Sequence, residues 1–438
     1  MTWLVLVLLI ICIIVEAGVV LRTVDVTLME RGKASFIKNE WEKPRTKVIA
    51  SSLISIFIGL LIGCIVILCF CKGNIKQAYE GIQLVFAGVL NIGRNADGQL
   101  IYGFNSTNIG NMLFGAMPLV MTGLSVALAF KTGLFNIGAP GQYLMGTAAS
   151  LIIALSIPTD IVPSFIVWIL AFLGAMVAGG LWGSISGFFK AFLNVNEVIT
   201  CIMTNWIAAN FVSYLFDSNI GPFKWCLDPS PTKNLVYVYQ TTHNNVATSK
   251  MGLDKIFPNS QINGGIIIAI IIAVIVFIII NKTTFGYELK ACGSNRDAAK
   301  YAGISAKRNI VLSMVIAGAL AAAGAALYYL SGNTEFYAQT YQTLPSTGFN
   351  GIPVALLAMN NPIGVVFSSI FMAYLDVSGM QLKYVTSYNE HITSVIAAVI
   401  VYFSAFSLII REYLSNNNNF TWLKKIFNKK KIVKEENK

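Results

Sequence analysis

The sequence predicts an all-α membrane protein, a polytopic helix bundle of ten or eleven transmembrane segments that includes broken or re-entrant helices. The first observation is the composition, with 55% hydrophobic and 12% charged residues in a chain of 438, whereas soluble domains carry about 25% charged residues. The second is a series of apolar runs close to the roughly 20 residues that cross a bilayer. The third is that Lys and Arg collect between these runs. This composition excludes a soluble enzyme, a disordered chain and a nucleic-acid-binding protein, although the net charge is +11.

Nine apolar runs are long enough to count as clear spans. They cover 2–21, 48–71, 112–130, 141–157, 165–189, 197–216, 263–280, 310–330 and 391–410. The run at 263–280 is almost pure Ile, Val and Ala, which indicates a lipid-facing helix. The run at 310–330 contains Gly318, Gly324 and seven alanines, and small residues of this kind are typical of a helix buried in a bundle.

A further apolar stretch is interrupted at Asn360-Asn361-Pro362. Because proline lacks the backbone donor that a helix requires, we expect two short or re-entrant segments there, 349–360 and 362–376. Two polar motifs, at 132–142 and 347–354, each combine Thr-Gly, Phe-Asn, small residues and proline. They lie about half the chain apart, which predicts an internal structural repeat.

The basic residues predict the orientation of the chain in the membrane. Twenty of the 31 Lys and Arg fall in 22–47, in 281–309 and in the tail after 414, and basic loops face the cytoplasm. We therefore expect the N-terminus and the loop 217–262 outside, and the C-terminus inside. The expected domains are an extra N-terminal span with its basic loop (1–47), a transmembrane domain (48–414) and a basic tail (415–438) that lies on anionic lipid.

Residues for catalysis or metal binding are scarce. The two histidines, His243 and His391, are 148 positions apart, and no nucleotide-binding P-loop is present. The seven cysteines fit neither a disulfide framework nor a zinc site. The spans hold almost no Asp or Glu, which weighs against an ion-coupled transporter. We expect no catalytic residue, no metal and no cofactor.

The segment 281–309 carries the most specific pattern in the chain. Asn295 and Asp297 are suited to begin a short helix at 298–301, and Gly303 is suited to end it. The sequence 285–304 resembles the cytoplasmic coupling loop of ABC-transporter permeases in the ribose and nucleoside importer group. Three further blocks, 133–142, 196–205 and 349–357, resemble motifs of the same group, and the agreement extends over about 80–415. The nucleoside permeases that work with a binding lipoprotein are the most similar branch.

The resemblance implies the permease subunit of an ATP-driven nucleoside importer in the plasma membrane, which is not itself an enzyme. Its implied partners are a cytoplasmic ABC ATPase beneath 281–309, a second permease subunit, homologous or identical, and an extracellular binding lipoprotein. The resemblance places the ATPase contact on Glu288, Arg296, Asp297, Ala298, Ala299 and Gly303. Family members commonly carry acids where this chain has Pro140 and Asn350.

For the substrate path we select Phe135, Asn136, Gln142 and Asn350, since amides can pair with a base or sugar hydroxyl and phenylalanine offers a stacking face. The alternative is that these amides only satisfy backbone groups of broken helices. Two other functions stay open, a permease for ribose-like sugars and an autonomous secondary transporter.

Overall fold

The computed structural model describes residues 44–70, 75–217, 219–223, 246–337, 339 and 341–405. The described helices are α1 (Pro44–Phe70), α2 (Ile75–Ala87), α3 (Ser106–Lys131), α4 (Ala139–Ser156), α5 (Ser164–Leu193), α6 (Glu197–Leu215), α7 (Leu253–Ile256), α8 (Gly265–Lys282), α9 (Thr284–Ser294), α10 (Arg296–Tyr301), α11 (Ala306–Tyr329), α12 (Ser346–Leu357), α13 (Pro362–Val385) and α14 (His391–Ala405). A 3₁₀ turn (Gly88–Leu90) and an antiparallel hairpin of β1 (Asn91–Arg94) and β2 (Leu100–Tyr102) join α2 to α3. The predicted span at 2–21 and the tail at 415–438 lie outside the described residues.

The predicted all-α membrane bundle is confirmed. Seven of the described helices are long and apolar enough to cross a membrane, namely α1, α3, α5, α6, α8, α11 and α13. The chain divides into two compact units, one formed by residues 1–83 with 395–438 and the other by 84–394. In the first unit, Gly59 and Gly63 of α1 pack against Ile400 and Ile396 of α14.

The core of the second unit is built on close contacts between small residues. Gly318 of α11 lies so near α5 that a methyl group there would overlap the carbonyl oxygen of Gly179. Of the membrane-length window of α11, 72% is buried, against 33% for α8, whose isoleucines, among them Ile271 and Ile275, are exposed. The predictions of a buried helix at 310–330 and an outward-facing helix at 263–280 are confirmed.

The predicted break between α12 and α13 is confirmed, but the length of the second segment was wrong. The Asn361 side chain accepts from the Ile363 and Gly364 N–H groups at 3.0 and 3.4 Å, and Pro362 occupies the first helical position, where its missing N–H is tolerated. From there α13 runs to Val385 as a full-length span. It continues through Asp376 because that residue borders a cavity while its neighbours Leu375 and Val377 stay buried.

The α12–α13 pair returns to the end of the unit at which α3 begins. Phe114, near the start of α3, stacks on Tyr328, near the end of α11, and the chain enters α12 from that end. At its far terminus, α13 ends beside the hairpin, since the Arg94 guanidinium donates to the Val385 carbonyl at 2.9 Å. The pair therefore begins and ends at the same end of the unit.

Candidate functional site

A cavity of about 580 Å³ lies among α3, α11, α12, α13 and the first turn of α14, within the size range of small-molecule sites, about 300–1,000 Å³. Its lining residues are Asn111, Phe114, Gly115, Pro118, Leu119, Gln261, Tyr328, Ser346, Thr347, Asn350, Ala373, Asp376, Val377, Met380, Glu390, Thr393 and Ser394. Every one of them belongs to the second compact unit.

One wall of the cavity is aromatic and its floor is polar. Phe114 and Tyr328 stack with their ring centroids 5.5 Å apart and an interplanar angle of 26°. Asn350 and its helical neighbours Ser346 and Thr347 belong to the first half of α12. Because α12 crosses α3 with Gly351 packed against Thr122, this floor lies near the middle of α3. Tyr328 is partly exposed, so the cavity offers an aromatic surface as well as polar groups.

Two carboxylates, Asp376 and Glu390, complete the lining, and they differ in their partners. Glu390 forms an ion pair with Lys383 at 2.9 Å, whereas Asp376 makes no ion pair or hydrogen bond with any described residue. Among the described residues, no Lys, Arg or His lines the cavity. Our prediction from sequence missed Asp376 because we ended the second segment there; the available signal was a lone acid inside a long apolar stretch.

A buried amide cluster occupies the connection between α3 and α4. Asn136 donates to the Ser125 hydroxyl at 3.0 Å and to the Gln142 side-chain carbonyl at 2.8 Å, and Gln142 donates back to Asn136 at 3.1 Å. Nearby, the Gly141 N–H donates to Asn205 at 2.9 Å. Asn136 and Gln142 are 0% and 1% exposed, so the two amides satisfy each other and the start of α4.

The structure thus separates the four predicted substrate-path residues. Asn350 lines the cavity, while Asn136 and Gln142 form the amide cluster and Phe135 packs on Phe130 at 5.1 Å. The two repeated motifs meet each other, since a methyl group at Gly348 would lie 2.5 Å from the Cα atom of Pro140. Substrate contact by these four residues, and the internal repeat itself, stay predictions.

Replacing Asn136 with leucine should lower stability rather than only transport. The change leaves the Gly138 N–H and the polar atoms of Gln142 without their buried partners, and each such loss costs about 1–3 kcal/mol. We expect a lower melting temperature of the purified protein. The control is Asn210→Leu, because Asn210 is exposed and, among the described residues, donates only to the Trp206 carbonyl within its own helix. Unchanged melting of the Asn136 variant with impaired uptake would indicate a substrate contact instead.

Helices α9 and α10 lie at the opposite end of α3 from the cavity. Gly293 of α9 packs directly on the Lys131 carbonyl and on Gly133, just past the end of α3. The Asn295 side chain caps α10 by accepting from the Asp297 and Ala298 N–H groups, both at 3.0 Å. The helix predicted at 298–301 is confirmed and begins two residues earlier, at Arg296.

The predicted ATPase-contact residues occupy different positions on this segment. Asp297, Ala298 and Gly303 are exposed, Arg296 is half-buried and Ala299 is buried. Glu288 instead holds α9 on α11, because its carboxylate accepts from Arg308 at 3.1 Å and from Asn309 at 2.9 Å.

Sequence reasoning missed one feature of the surface around α9 and α10. Tyr301, at the last position of α10, is 94% exposed and Tyr287 of α9 is 69% exposed. Exposed tyrosines favour protein contact because each supplies an apolar body with a hydroxyl that can pair. An aromatic at the end of a short capped helix was the signal available in the sequence.

The comparison with known families defines the class of this chain. Residues 108–405 match the family described as branched-chain amino acid transport system, permease component. The chain belongs to this family of membrane permeases.

Individual relatives are more specific. The chain is 35% identical over 375 residues to the nucleoside ABC transporter permease protein NupB of Lactococcus lactis, covering 84% of this chain and 94% of that protein. It is 33% identical over 359 residues to the guanosine ABC transporter permease protein NupP of Bacillus subtilis, covering 82% and 93%. It is 29% identical over 337 residues to the glucose ABC transporter permease protein TsgB13 of Haloferax volcanii, covering 75% and 86%. No solved structure matches the chain.

Proposed function

We propose that this chain is the membrane-spanning subunit of an ATP-driven importer and that its cavity holds a nucleoside during passage. The observation that carries the proposal is the cavity itself, whose lining combines the Phe114–Tyr328 pair with Asn350. Nucleobases stack on aromatic side chains, and an amide can both donate to and accept from a base edge or a ribose hydroxyl. The similarity to NupB and NupP supports the same substrate class.

The charges of the lining favour a nucleoside over a nucleotide. Phosphate is recognised by Arg, Lys or clustered backbone N–H groups. The described lining contains the carboxylates of Asp376 and Glu390 and no basic side chain, which disfavours an anionic ligand. A neutral molecule rich in hydrogen-bond donors fits this lining.

Energy for uptake would come from a partner. We propose that a cytoplasmic ABC ATPase docks on α9 and α10, that a second permease subunit completes the path, and that an extracellular lipoprotein delivers the substrate. We propose a plasma-membrane location, with the N-terminus outside and the C-terminus in the cytoplasm. In this orientation the cavity lies in the outer half of the second unit. The ATPase surface then lies at the inner end of the same unit, where the positive-inside rule also places 281–309.

The test is uptake by the complete transporter in proteoliposomes, with labelled guanosine, adenosine, ribose and glucose supplied outside and ATP on the ATPase side. We expect uptake of nucleosides that stops when the ATPase carries a substitution abolishing hydrolysis. A nucleoside 5′-monophosphate should not compete.

The same assay decides between the alternatives. Uptake of glucose or ribose without nucleoside uptake would establish the sugar permease, for which the similarity to TsgB13 is the supporting observation. Uptake by the purified chain alone, driven by an ion gradient, would contradict the need for an ATPase and establish a secondary transporter.

A further inference from the structure

Asp376 stands apart from the other acids of the membrane-length helices. Among the seven such helices that the structure describes, only α6 and α13 contain an acid. Glu197 is the first residue of α6 and is paired with Lys190 at 2.8 Å. Asp376 lies well inside α13, and an ionisable residue at such a position is costly and as a rule functional.

The surroundings of Asp376 leave its carboxylate available to a ligand. The residue is exposed where it borders the cavity, between the buried side chains of Leu375 and Val377. One turn earlier, the Ala373 side chain lies against Gly115 of α3. No described residue forms an ion pair or a hydrogen bond with this carboxylate, whereas Glu390 is already engaged by Lys383.

A carboxylate only accepts hydrogen bonds, and its two oxygens suit two donors side by side. The other lining groups differ from a carboxylate. Asn350 can donate as well as accept hydrogen bonds, and the Phe114–Tyr328 pair is aromatic. A bound nucleoside offers adjacent donors at two places. One is the N1–H and N2–H₂ edge of guanine, and the other is the 2′,3′-diol of ribose.

We propose that Asp376 is the specificity-determining acceptor of the cavity, which binds the paired donors of a nucleoside, either the guanine edge or the ribose diol. This inference rests on the proposed function and deepens it. It assigns the selection of ligands to one residue of α13, a role distinct from stacking at the aromatic wall.

The test compares Asp376→Asn, which removes the charge and one acceptor, with Asp376→Glu, which keeps both. The complete transporter is reconstituted in proteoliposomes, and initial uptake is measured for guanosine, adenosine and 2′,3′-dideoxyguanosine. The charge-matched control is Asp97→Asn, because Asp97 is exposed in the hairpin turn and does not line the cavity.

If the carboxylate binds the guanine edge, Asp376→Asn lowers the maximal uptake rate of guanosine at least about tenfold, because a charge-assisted hydrogen bond is lost. The uptake rate of adenosine then stays unchanged. If the carboxylate binds the ribose diol, the variant lowers the uptake rates of guanosine and adenosine alike. Dideoxyguanosine is then a poor substrate both for the unmodified transporter and for the variant. Either pattern supports the proposal when Asp376→Glu retains part of the rate and Asp97→Asn all of it.

Equal uptake of all three compounds by Asp376→Asn and the unmodified transporter would overturn the inference while leaving the nucleoside importer intact. Equal loss in the Asn and Glu variants, together with a lower melting temperature, would assign Asp376 a structural role and also overturn it. Absence of nucleoside uptake by the unmodified transporter would refute the proposed function, and the inference with it.

Discussion

Gly318→Val is expected to prevent the second unit from folding. A side chain at Gly318 would overlap the carbonyl oxygen of Gly179, and its Cβ would lie 2.9 Å from the Gly179 carbonyl carbon and 3.2 Å from the Cα of Gly183. These are backbone atoms of α5, which cannot rotate away as a side chain can, so the two helices must separate. Overpacking of a core costs about 1–3 kcal/mol where side chains can adjust, and more is expected here. The measurement is the yield of monodisperse protein after detergent extraction.

Gly115→Ala is the matched control for Gly318→Val. A methyl group at Gly115 would meet only the Cβ atom of Ala373 at 3.8 Å, which is ordinary van der Waals contact. Normal yield for both variants would show that α5 and α11 are not held at the distance that the structure gives.

Gly303→Val is expected to uncouple ATP hydrolysis from uptake while the chain still folds. Gly303 has φ +79° and ends α10, and this left-handed conformation costs an L-residue roughly 1–2 kcal/mol. No atom of the described residues lies within 4 Å of a methyl group there, so the effect comes from the backbone and would unwind the end of α10 beside Tyr301. We expect uptake to fall at least about tenfold, the scale of losing one well-made interfacial contact. Substrate-stimulated ATPase activity and uptake are measured together.

The hairpin supplies a matched control for the uncoupling experiment. Gly98 has φ +75° and likewise has open space around it, but it lies at the end of the unit where α3 begins. Gly98→Val therefore carries similar strain without touching α10. A charge reversal, Arg296→Glu with Asp297→Lys, tests the same surface without backbone strain. Normal uptake by both α10 variants would place the ATPase contact elsewhere.

Much of the fold could be predicted from residue types, because a bilayer imposes simple length and polarity rules. The isoleucines of α8 predicted an outward-facing helix and the alanines of α11 a buried one, and both predictions are confirmed. Pro362 marked the start of α13 correctly. Its end was misjudged because an acid normally marks the end of an apolar run, and only the tertiary structure shows that Asp376 borders a cavity.

The candidate site was less predictable, since amides look alike in sequence whether they bind a ligand or each other. Asn136 and Asn350 each follow a phenylalanine in similar motifs, yet Asn136 pairs with Gln142 and Asn350 lines the cavity. The two asparagines differ in their neighbours. The partner Gln142 of Asn136 is six residues along the chain, whereas the neighbours of Asn350 in the cavity belong to other helices. Local pattern carries no information about the second kind of neighbour.

The packing of Gly348 on Pro140 has a mechanical consequence. Gly293 of α9 contacts the turn that follows α3, and this turn leads into Pro140. Pro140 in turn contacts α12 at Gly348, two residues before Asn350. The contacts in this series involve main-chain atoms and a proline ring, which change conformation less readily than long side chains. We therefore expect a displacement of α9 to be transmitted to the first half of α12, where Asn350 lines the cavity.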